Sequence, residues 1–247
     1  MNRPEPQRRF YAPPGAFSQG LVRLGPEETH HLTRVLRLGM GDRVEVFDGQ
    51  GRNFAGEVAG LTPQAAVLRL LVELPCRGES PLDLTLGIGL AKGEALDQVV
   101  RVATEMGVKA ILPFESERSE QVSPERAPRR QGRWQRLARE SLKSCRRSLL
   151  PRIELPQDFA AVLEGPEDLK IFFWEEEEGR PRESLAQLRP GSVRALIGPE
   201  GGFSGREAAL ARDAGYRVLS LGPRLLKVPT AAVAALTLIQ GLWGDLA

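Results

Sequence analysis

Two glycine-rich segments have the residue types and spacing that best fit the binding of a small molecule. In the first, an apolar stretch ends at Ile197 and runs into Gly198-Pro199-Glu200-Gly201-Gly202. Because glycine has no Cβ, such a bend lets the backbone approach a ligand closely and leaves N–H groups free to bind it. Ser204 and Glu207 then follow the pattern of a capping box, which begins a helix. The alternative is a strand-to-helix turn that needs glycine only for its positive φ angles.

The second segment repeats this design after a strand predicted to end at Leu221. It reads Gly222-Pro223-Arg224-Leu225-Leu226-Lys227, and Pro229 suits the first turn of the helix that follows. Two such loops, leaving adjacent strand ends, indicate a shared small-molecule pocket. A third glycine-rich segment, Gly87 to Gly93, misses the dinucleotide-binding spacing by one residue, and its first two glycines are predicted to lie inside a strand.

Other chemistries have little material in this chain. The only histidines, His30 and His31, are neighbours, and Cys76 and Cys145 are the only cysteines. We therefore expect no metal site, no Ser–His–Asp triad and no disulfide framework. The carboxylate run from Glu175 to Glu178 is predicted to be an exposed loop, with metal binding as a weak alternative.

The composition bounds the class of protein. The 247 residues are 41% hydrophobic and 27% charged, with a formal net charge of +2, which fits a folded globular chain without an obligatory polyanionic partner. The longest uncharged run has 17 residues, short of the ~20 that a bilayer span needs. The N-terminal residues lack the apolar core of a secretory signal. We expect a cytoplasmic protein that does not span a membrane.

Positive charge is concentrated in one part of the chain. Between Arg118 and Arg152 there are eleven basic and three acidic residues, which leaves a net charge of +8. A long helix is predicted from Gln131 to about Arg147, with basic residues near one face and Trp134 on the inward face. This stripe is a candidate contact for an RNA phosphate backbone. A solvated, arginine-rich surface is an equally good interpretation.

The order of elements predicts an α/β protein of two domains. Residues 1–74 alternate short strands and turns with one helix, which favours a small β-barrel. The proline- and glycine-containing stretch from Pro75 to Pro81 reads as a linker. Residues 75–247 alternate buried strands with helices, which predicts a mainly parallel sheet with ligands bound at the carboxyl ends of its strands.

At these two loops the sequence resembles the RsmE-type 16S ribosomal RNA uracil-N3 methyltransferases. These belong to the SPOUT class, whose C-terminal domain contains a trefoil knot and follows a PUA-like β-barrel. The specific matches are Ile197 to Ser204 with Glu207, and Leu221 to Leu226. Softer matches extend over nearly the whole chain: Arg8-Arg9-Phe10, His30-His31-Leu32, Val35-Leu36-Arg37, Gly41-Asp42, Phe47-Asp48-Gly49, Lys92-Gly93-Glu94, Glu105-Met106-Gly107-Val108 and Ser116-Glu117-Arg118-Ser119.

The resemblance implies an S-adenosylmethionine-dependent methylation of N3 of a specific uridine, the family target uridine-1498 of 16S rRNA. The implied cofactor-binding residues are Leu196, Ile197, Gly198, Pro199, Glu200, Gly201, Gly202, Leu219, Leu221, Gly222, Leu225 and Leu226. The candidates for stabilising negative charge on the uracil are Arg224, Lys227 and Arg118. Methyl transfer from a sulfonium needs no metal and no nucleophilic side chain, which agrees with what this sequence lacks.

The implied partners are 16S rRNA in the small ribosomal subunit and a second copy of the chain, with the last helix at the dimer interface. The implied RNA contacts come from the barrel and the basic helix: Arg8, Arg9, Arg34, Arg37, Arg133, Arg136 and Arg147. Two departures matter: Lys227-Val228-Pro229-Thr230 stands where the family commonly has Arg-x-Glu-Thr, and Lys143-Ser144 stands where many members have Glu-Gln. A catalytically impaired RNA-binding homologue that retains the fold is therefore the alternative, and an unrelated nucleotide enzyme is a weaker one.

Overall fold

The computed structural model describes residues 8–177 and 185–246. Contacts within the chain divide it into two compact units, one of Met1–Glu79 with Arg139–Leu150 and the other of Ser80–Ala138 with Pro151–Ala247. The chain leaves the first unit inside the expected linker, after residue 79. Residues 139–150 belong to the first unit, although the sequence placed them in the second domain. The domain boundary at residues 74 and 75 stays a prediction.

The first unit contains one six-stranded sheet. Its strands are β1 (Arg9–Tyr11), β2 (Phe17–Ser18), β3 (Leu21–Arg23), β4 (Arg43–Phe47), β5 (Asn53–Leu61) and β6 (Ala66–Leu74). The strand order is β1-β4-β5-β6-β3-β2, and every pair is antiparallel except β1 with β4. Helix α1 (Pro26–His30) continues as a π-helical turn, His31–Val35, and a 3-10 turn covers Pro14–Ala16.

The core of this unit follows from alternation along its strands. Val44 and Val46 of β4 are buried and pack in one cluster with Phe10, Leu32 and Leu68. Side chains two residues apart lie on the same face of a strand, so β4 presents its valines to the core and its charged residues to the other face. The sequence pattern predicts strands over residues 43–47, from 54 to 58 and from 65 to 74, and β4, β5 and β6 confirm them. Strands β1 to β3 were missed because two or three residues are too few to give a periodic pattern.

The second unit contains a seven-stranded sheet. Its strands are β7 (Asp83–Gly89), β8 (Ala110–Glu115), β9 (Arg152–Ile153), β10 (Gln157–Asp158), β11 (Leu169–Phe173), β12 (Ser192–Ile197) and β13 (Arg217–Leu219). The order is β10-β8-β7-β12-β11-β13 with β9 beside β8, and all of these pairs are parallel. The predicted α/β class with a mainly parallel sheet is confirmed.

The described residues also form the helices α2 (Ala95–Glu105), α3 (Ala127–Cys145), α4 (Phe159–Leu163), α5 (Gly205–Asp213) and α6 (Val228–Trp243). Helix α3 ends two residues before the predicted Arg147, and α6 begins at Val228, so that Pro229 is its second residue. Within residues 8–177 and 185–246, no helix combines the length and apolar character that crossing a membrane requires.

The strand order corrects one expectation. The strands before the two Gly-Pro loops, β12 and β13, are not adjacent, because β11 lies between them and pairs with both. The pairing of Phe173 with Ile197 and with Leu219 places all three strand ends at the same level. The loop after β11 therefore lies between the two Gly-Pro loops, an arrangement that the local sequence could not reveal.

Glycines in β7 explain the near match to a dinucleotide-binding pattern. Gly87 pairs with Leu196 of β12, and a Cβ built on Gly87 would lie 2.1 Å from the Leu196 Cδ2 atom. A Cβ on Gly89 would lie 2.5 Å from the Pro199 nitrogen. Both distances are far below contact, so the absence of a side chain is what lets β12 and its following bend pack against β7.

Four phenylalanines form the centre of the core beside this bend. Phe203 lies 4.0 Å from Phe172 and 5.9 to 6.1 Å from Phe159 and Phe114, measured between ring centroids. Phe203 is 1% exposed. It follows the glycine-rich bend directly, so burial of its ring fixes where the bend ends.

We expect Phe203→Ala to lower the free energy of unfolding by about 3–5 kcal/mol, because it removes a buried aromatic ring and leaves a cavity. Urea denaturation followed by circular dichroism measures this change. Leu225→Ala is the control, since Leu225 is 85% exposed, and we expect its effect to stay within about 0.5 kcal/mol. Equal losses for the two variants would contradict the proposed anchoring of the bend by Phe203.

Candidate active site

A cavity of about 250 Å³ opens at the carboxyl ends of β11, β12 and β13. Its walls come from the loop after each of these strands and from the first turn of α6. The lining residues are Phe173, Trp174, Glu175, Ile197, Gly198, Pro199, Glu200, Gly201, Gly202, Ser220, Leu221, Gly222, Arg224, Leu225, Leu226, Val228 and Ala231. The two Gly-Pro loops thus line one cavity, at the sheet edge where parallel α/β folds bind ligands.

The bend after β12 is closed by its own backbone and by a capping box. The Gly202 N–H donates to the Pro199 carbonyl at 3.0 Å, and Gly202 has a φ of 67°. Ser204 Oγ accepts from the Glu207 N–H at 3.2 Å, while Glu207 Oε2 accepts from the Ser204 N–H at 2.9 Å. The predicted capping box is confirmed, and it begins α5 immediately after the bend.

Loops from neighbouring strands hold the bend in place. The buried Glu207 carboxylate also accepts from the Glu117 N–H at 3.0 Å, through Oε1. Arg118 Nη1 donates to the carbonyls of Gly201 and Phe203 at 3.2 and 3.4 Å. The indole N–H of Trp174 donates to the same Phe203 carbonyl at 3.3 Å. The bend is therefore hydrogen-bonded to the loops after β8 and β11.

The second Gly-Pro loop is shaped by Ser220 and Gly222. The Gly222 N–H donates to Ser220 Oγ at 3.2 Å, and Gly222 has a φ of 113°. A Cβ built on Gly222 would meet no heavy atom within 4 Å. Open space therefore lies beside this glycine, which is suited to close approach of a ligand.

Ten of the twelve residues predicted to bind a cofactor line the cavity. The two others do not: Leu196 is fully buried in the core, and Leu219 is buried in β13, where its carbonyl accepts from the Trp174 N–H. Sequence reasoning missed six lining residues: Phe173, Trp174, Glu175, Ser220, Val228 and Ala231. The signal that could have found Phe173, Trp174 and Glu175 is a strand, predicted from Leu169 to Trp174, that ends in an aromatic pair and is followed by carboxylates. Only the carboxylate run from Glu175 to Glu178 was interpreted as an exposed loop, and Glu178 lies outside the described residues.

The three residues predicted to stabilise charge have different positions. Arg224 lines the cavity and is exposed. Arg118 reaches the bend from behind, through its bonds to the Gly201 and Phe203 carbonyls. Lys227 is exposed and is the N-cap residue of α6, between the lining residues Leu226 and Val228. The structure thus brings Arg224 into the cavity wall, and the catalytic roles of all three stay predictions.

Two of the predicted RNA contacts are wrong in this structure, because the first unit buries them. Arg9 is 3% exposed, lies 2.9 Å from a Glu45 oxygen and donates to the Leu142 and Arg147 carbonyls. Burial lowers the pKa of the Arg9 guanidinium, and the neighbouring Glu45 carboxylate opposes that change. Arg147 is 1% exposed, with Nη2 2.9 Å from a Glu79 oxygen.

The other predicted RNA contacts remain at the surface. Arg34 and Arg37 are exposed in the first unit, and the exposed guanidinium of Arg8 lies 3.9 Å from an Asp42 oxygen. Arg133 and Arg136 are exposed in the second unit. The basic stripe predicted along one helix is interrupted, since Lys143 pairs with Glu28 and Glu140 and the helix ends before Arg146 and Arg147.

Gly201 is required by packing behind the bend. A Cβ built there would lie 2.8 Å from the Arg118 Cβ and 3.1 Å from the Arg118 carbonyl oxygen. We expect Gly201→Ala to lower the free energy of unfolding by about 1–3 kcal/mol, because backbone must move to admit the methyl group. Gly205→Ala is the matched control: no heavy atom lies within 4 Å of its Cβ position at the start of α5. Urea melts in which both variants behave alike would refute this packing constraint.

Comparisons with known proteins agree with this geometry. The model of the RNA methyltransferase domain family matches residues 78–240, and that of the RNA methyltransferase PUA domain matches residues 24–71. Ribosomal RNA small subunit methyltransferase E of Synechocystis is 32% identical over 243 residues, covering 95% of this chain and 77% of that protein.

Two solved structures match over nearly their whole length. One is a methyltransferase of Legionella pneumophila in complex with its bound cofactor SAM, with a TM-score of 0.90, 31% identity and coverage of 97% of this chain and 99% of that one. The other is ribosomal RNA small subunit methyltransferase E of Neisseria gonorrhoeae bound to S-adenosyl methionine, with a TM-score of 0.88, 28% identity and coverage of 98% and 100%. The resemblance drawn from the two Gly-Pro loops is thereby confirmed, and this chain belongs to the RsmE-type ribosomal RNA small subunit methyltransferases of the SPOUT class.

Proposed function

We propose that this protein uses S-adenosylmethionine to methylate N3 of a uridine in 16S rRNA, the family target uridine-1498. The observation that carries the proposal is the convergence of both Gly-Pro loops on one cavity. Two structural relatives with the same fold were solved with this cofactor. The trefoil knot of the family and the assignment of the N3 atom remain predictions from the resemblance.

The charges and surfaces of the cavity fit the proposed cofactor. Ile197, Leu221 and Leu226 supply apolar surface for a purine ring, beside the Trp174 indole. The charged lining residues are Glu175, Glu200 and Arg224, two anions and one cation. S-adenosylmethionine carries the complementary set, a sulfonium and an ammonium with one carboxylate. The open space beside Gly222 leaves room for close contact with backbone.

The chain's own groups would position the reactants and stabilise charge. When bound, S-adenosylmethionine supplies an electrophilic methyl group. Arg224 at the cavity wall would stabilise negative charge on the uracil once N3 loses its proton. Arg118 acts as a positioning residue, since its two hydrogen bonds fix the bend from outside the cavity. Holding both reactants in line is the main contribution that a protein can make to this reaction.

The departure at Lys227-Val228-Pro229-Thr230 is the observation that favours the alternative, an RNA-binding homologue with impaired catalysis. Lys227 and Pro229 are not among the lining residues, whereas their neighbour Val228 and the next-turn residue Ala231 are. The substitutions therefore leave the described cavity wall intact, which supports an active enzyme. We also propose a homodimer through α6, whose Val233 is 41% exposed, and a cytoplasmic location with the ribosome.

The decisive test incubates the purified protein with S-adenosylmethionine and small ribosomal subunits from a strain that lacks this chain. We expect mass mapping of the 16S rRNA to find N3-methyluridine at position 1498. A methyl group at another position would refute the substrate assignment. Cofactor binding without any methyl transfer would establish the impaired homologue instead.

A second prediction concerns Glu175. We expect Glu175→Gln to weaken binding of S-adenosylmethionine about tenfold, or ~1.4 kcal/mol, because the lost carboxylate no longer attracts the sulfonium cation. Binding of S-adenosylhomocysteine, which has a neutral thioether, should change much less. Isothermal titration calorimetry measures both affinities, with Glu105→Gln as the exposed control on α2. Equal losses for the two ligands would show that the Glu175 carboxylate acts on a group that both ligands share, such as the ammonium, and not on the sulfonium.

A further inference from the structure

A groove of about 620 Å³ lies between the start of α2 and the first half of α3, within the second unit. Arg129, Arg130, Arg133 and Arg136 of α3 line it. These positions follow the i, i+1, i+4, i+7 spacing, so they share one face of the helix and extend over about 10 Å. The facing wall includes Glu94 and Asp97 of α2. The groove is therefore narrow, polar and dominated by guanidinium groups.

The four arginines fall into two pairs. Arg133 Nε donates to Asp97 Oδ2 at 2.8 Å, and Arg130 Nη2 donates to Glu120 Oε2 at 3.0 Å. These two guanidinium groups are held in place by carboxylates. Arg129 and Arg136 are exposed, and neither makes an ion pair or a side-chain hydrogen bond with any residue that the structure describes. Two cations in the groove are thus available to a ligand without first breaking an ion pair.

Two loops connect this groove with the cofactor cavity. The Lys92 N–H donates to Glu200 Oε2 at 3.4 Å, and the next residues, Gly93 and Glu94, line the groove. In the loop after β8, Arg118 contacts the bend at Gly201, while Glu120, two residues later, pairs with Arg130. Each loop thus contacts the bend that forms one wall of the cavity and also contributes to, or pairs with, a residue of the groove. A chain lying in the groove would therefore reach the rim of the cavity.

We propose that this groove binds the phosphate backbone of the substrate RNA next to the nucleotide that enters the cavity. The proposal rests on the proposed function, since it assigns a path to the same RNA. Guanidinium groups bind phosphate oxygens through paired N–H donors, and Arg129 and Arg136 provide them. The two paired arginines keep the groove in shape. This path uses Arg129 and Arg130, which the sequence did not single out, and it excludes the buried Arg147.

The test compares the double variant Arg129→Gln/Arg136→Gln with the wild-type protein. The probe is a fluorescein-labelled fragment of 16S rRNA that contains uridine-1498, and its affinity is measured by anisotropy at several salt concentrations. We expect the affinity at low salt to fall on the order of tenfold. The slope of log K against log salt should become shallower by about 1.4, since each lost phosphate contact on a single strand contributes about 0.7.

Two further variants separate position from overall charge. Arg152→Gln/Arg217→Gln removes the same charge from the first residues of β9 and β13, at the amino ends of the strands and so away from the groove. This variant should leave the slope unchanged. Arg129→Lys/Arg136→Lys keeps the charge and should retain the wild-type slope. A wild-type slope in the first variant, or an equal change in the opposite-edge variant, would overturn the proposal.

Cofactor binding and methylation are measured on the same preparations. One outcome is that the wild-type protein binds S-adenosylmethionine and methylates the rRNA while the double variant Arg129→Gln/Arg136→Gln keeps the wild-type salt slope. In that case the groove proposal fails and the proposed function stands. If the wild-type protein neither binds the cofactor nor transfers a methyl group, the proposed function fails, whatever the salt titration gives.

Discussion

The close approach of β7 to the bend after β12 is the contact on which the cavity depends. A Cβ atom at residue 89 would lie 2.5 Å from the Pro199 nitrogen. The bend can therefore take this position only because residue 89 is glycine and has no side chain. Held there, it presses Gly201 against Arg118, and its capping box begins α5. The position of the bend thus determines the position of the cavity wall formed by residues 198–202. The hydrogen bonds of the surrounding loops then make that position rigid.

Local patterns predicted most of the second unit because its elements are long and regular. Apolar runs predicted the buried strands of the parallel sheet, and glycines marked the bends. The general rule for parallel sheets placed those bends at the carboxyl ends of the strands. The order of strands depends on pairing between residues far apart in sequence, which no local pattern encodes. The insertion of β11 between β12 and β13 was therefore missed, and with it the contribution of Trp174 and Glu175 to the cavity.

Charge patterns were the least reliable guide, because composition does not distinguish a solvated cation from a buried one. Arg9 and Arg147 have carboxylate partners 36 and 68 residues away, Glu45 and Glu79, and only the folded chain reveals these pairs. Burying a guanidinium is costly unless a carboxylate compensates it. Both arginines meet that condition, and they form their ion pairs within the first unit. In the second unit, exposed arginines such as Arg129 and Arg136 remain available to an external partner.

The carboxylate of Glu175 occupies the space that a side chain at residue 202 would need, since a Cβ on Gly202 would lie 2.0 Å from Glu175 Oε1. A side chain at 202 would displace the Glu175 carboxylate from this place, and it would also be strained by the φ of 67° at residue 202. Displacement of the carboxylate would alter the charge that this wall presents to the cavity. The charge of the cavity at this wall therefore depends on a residue without a side chain.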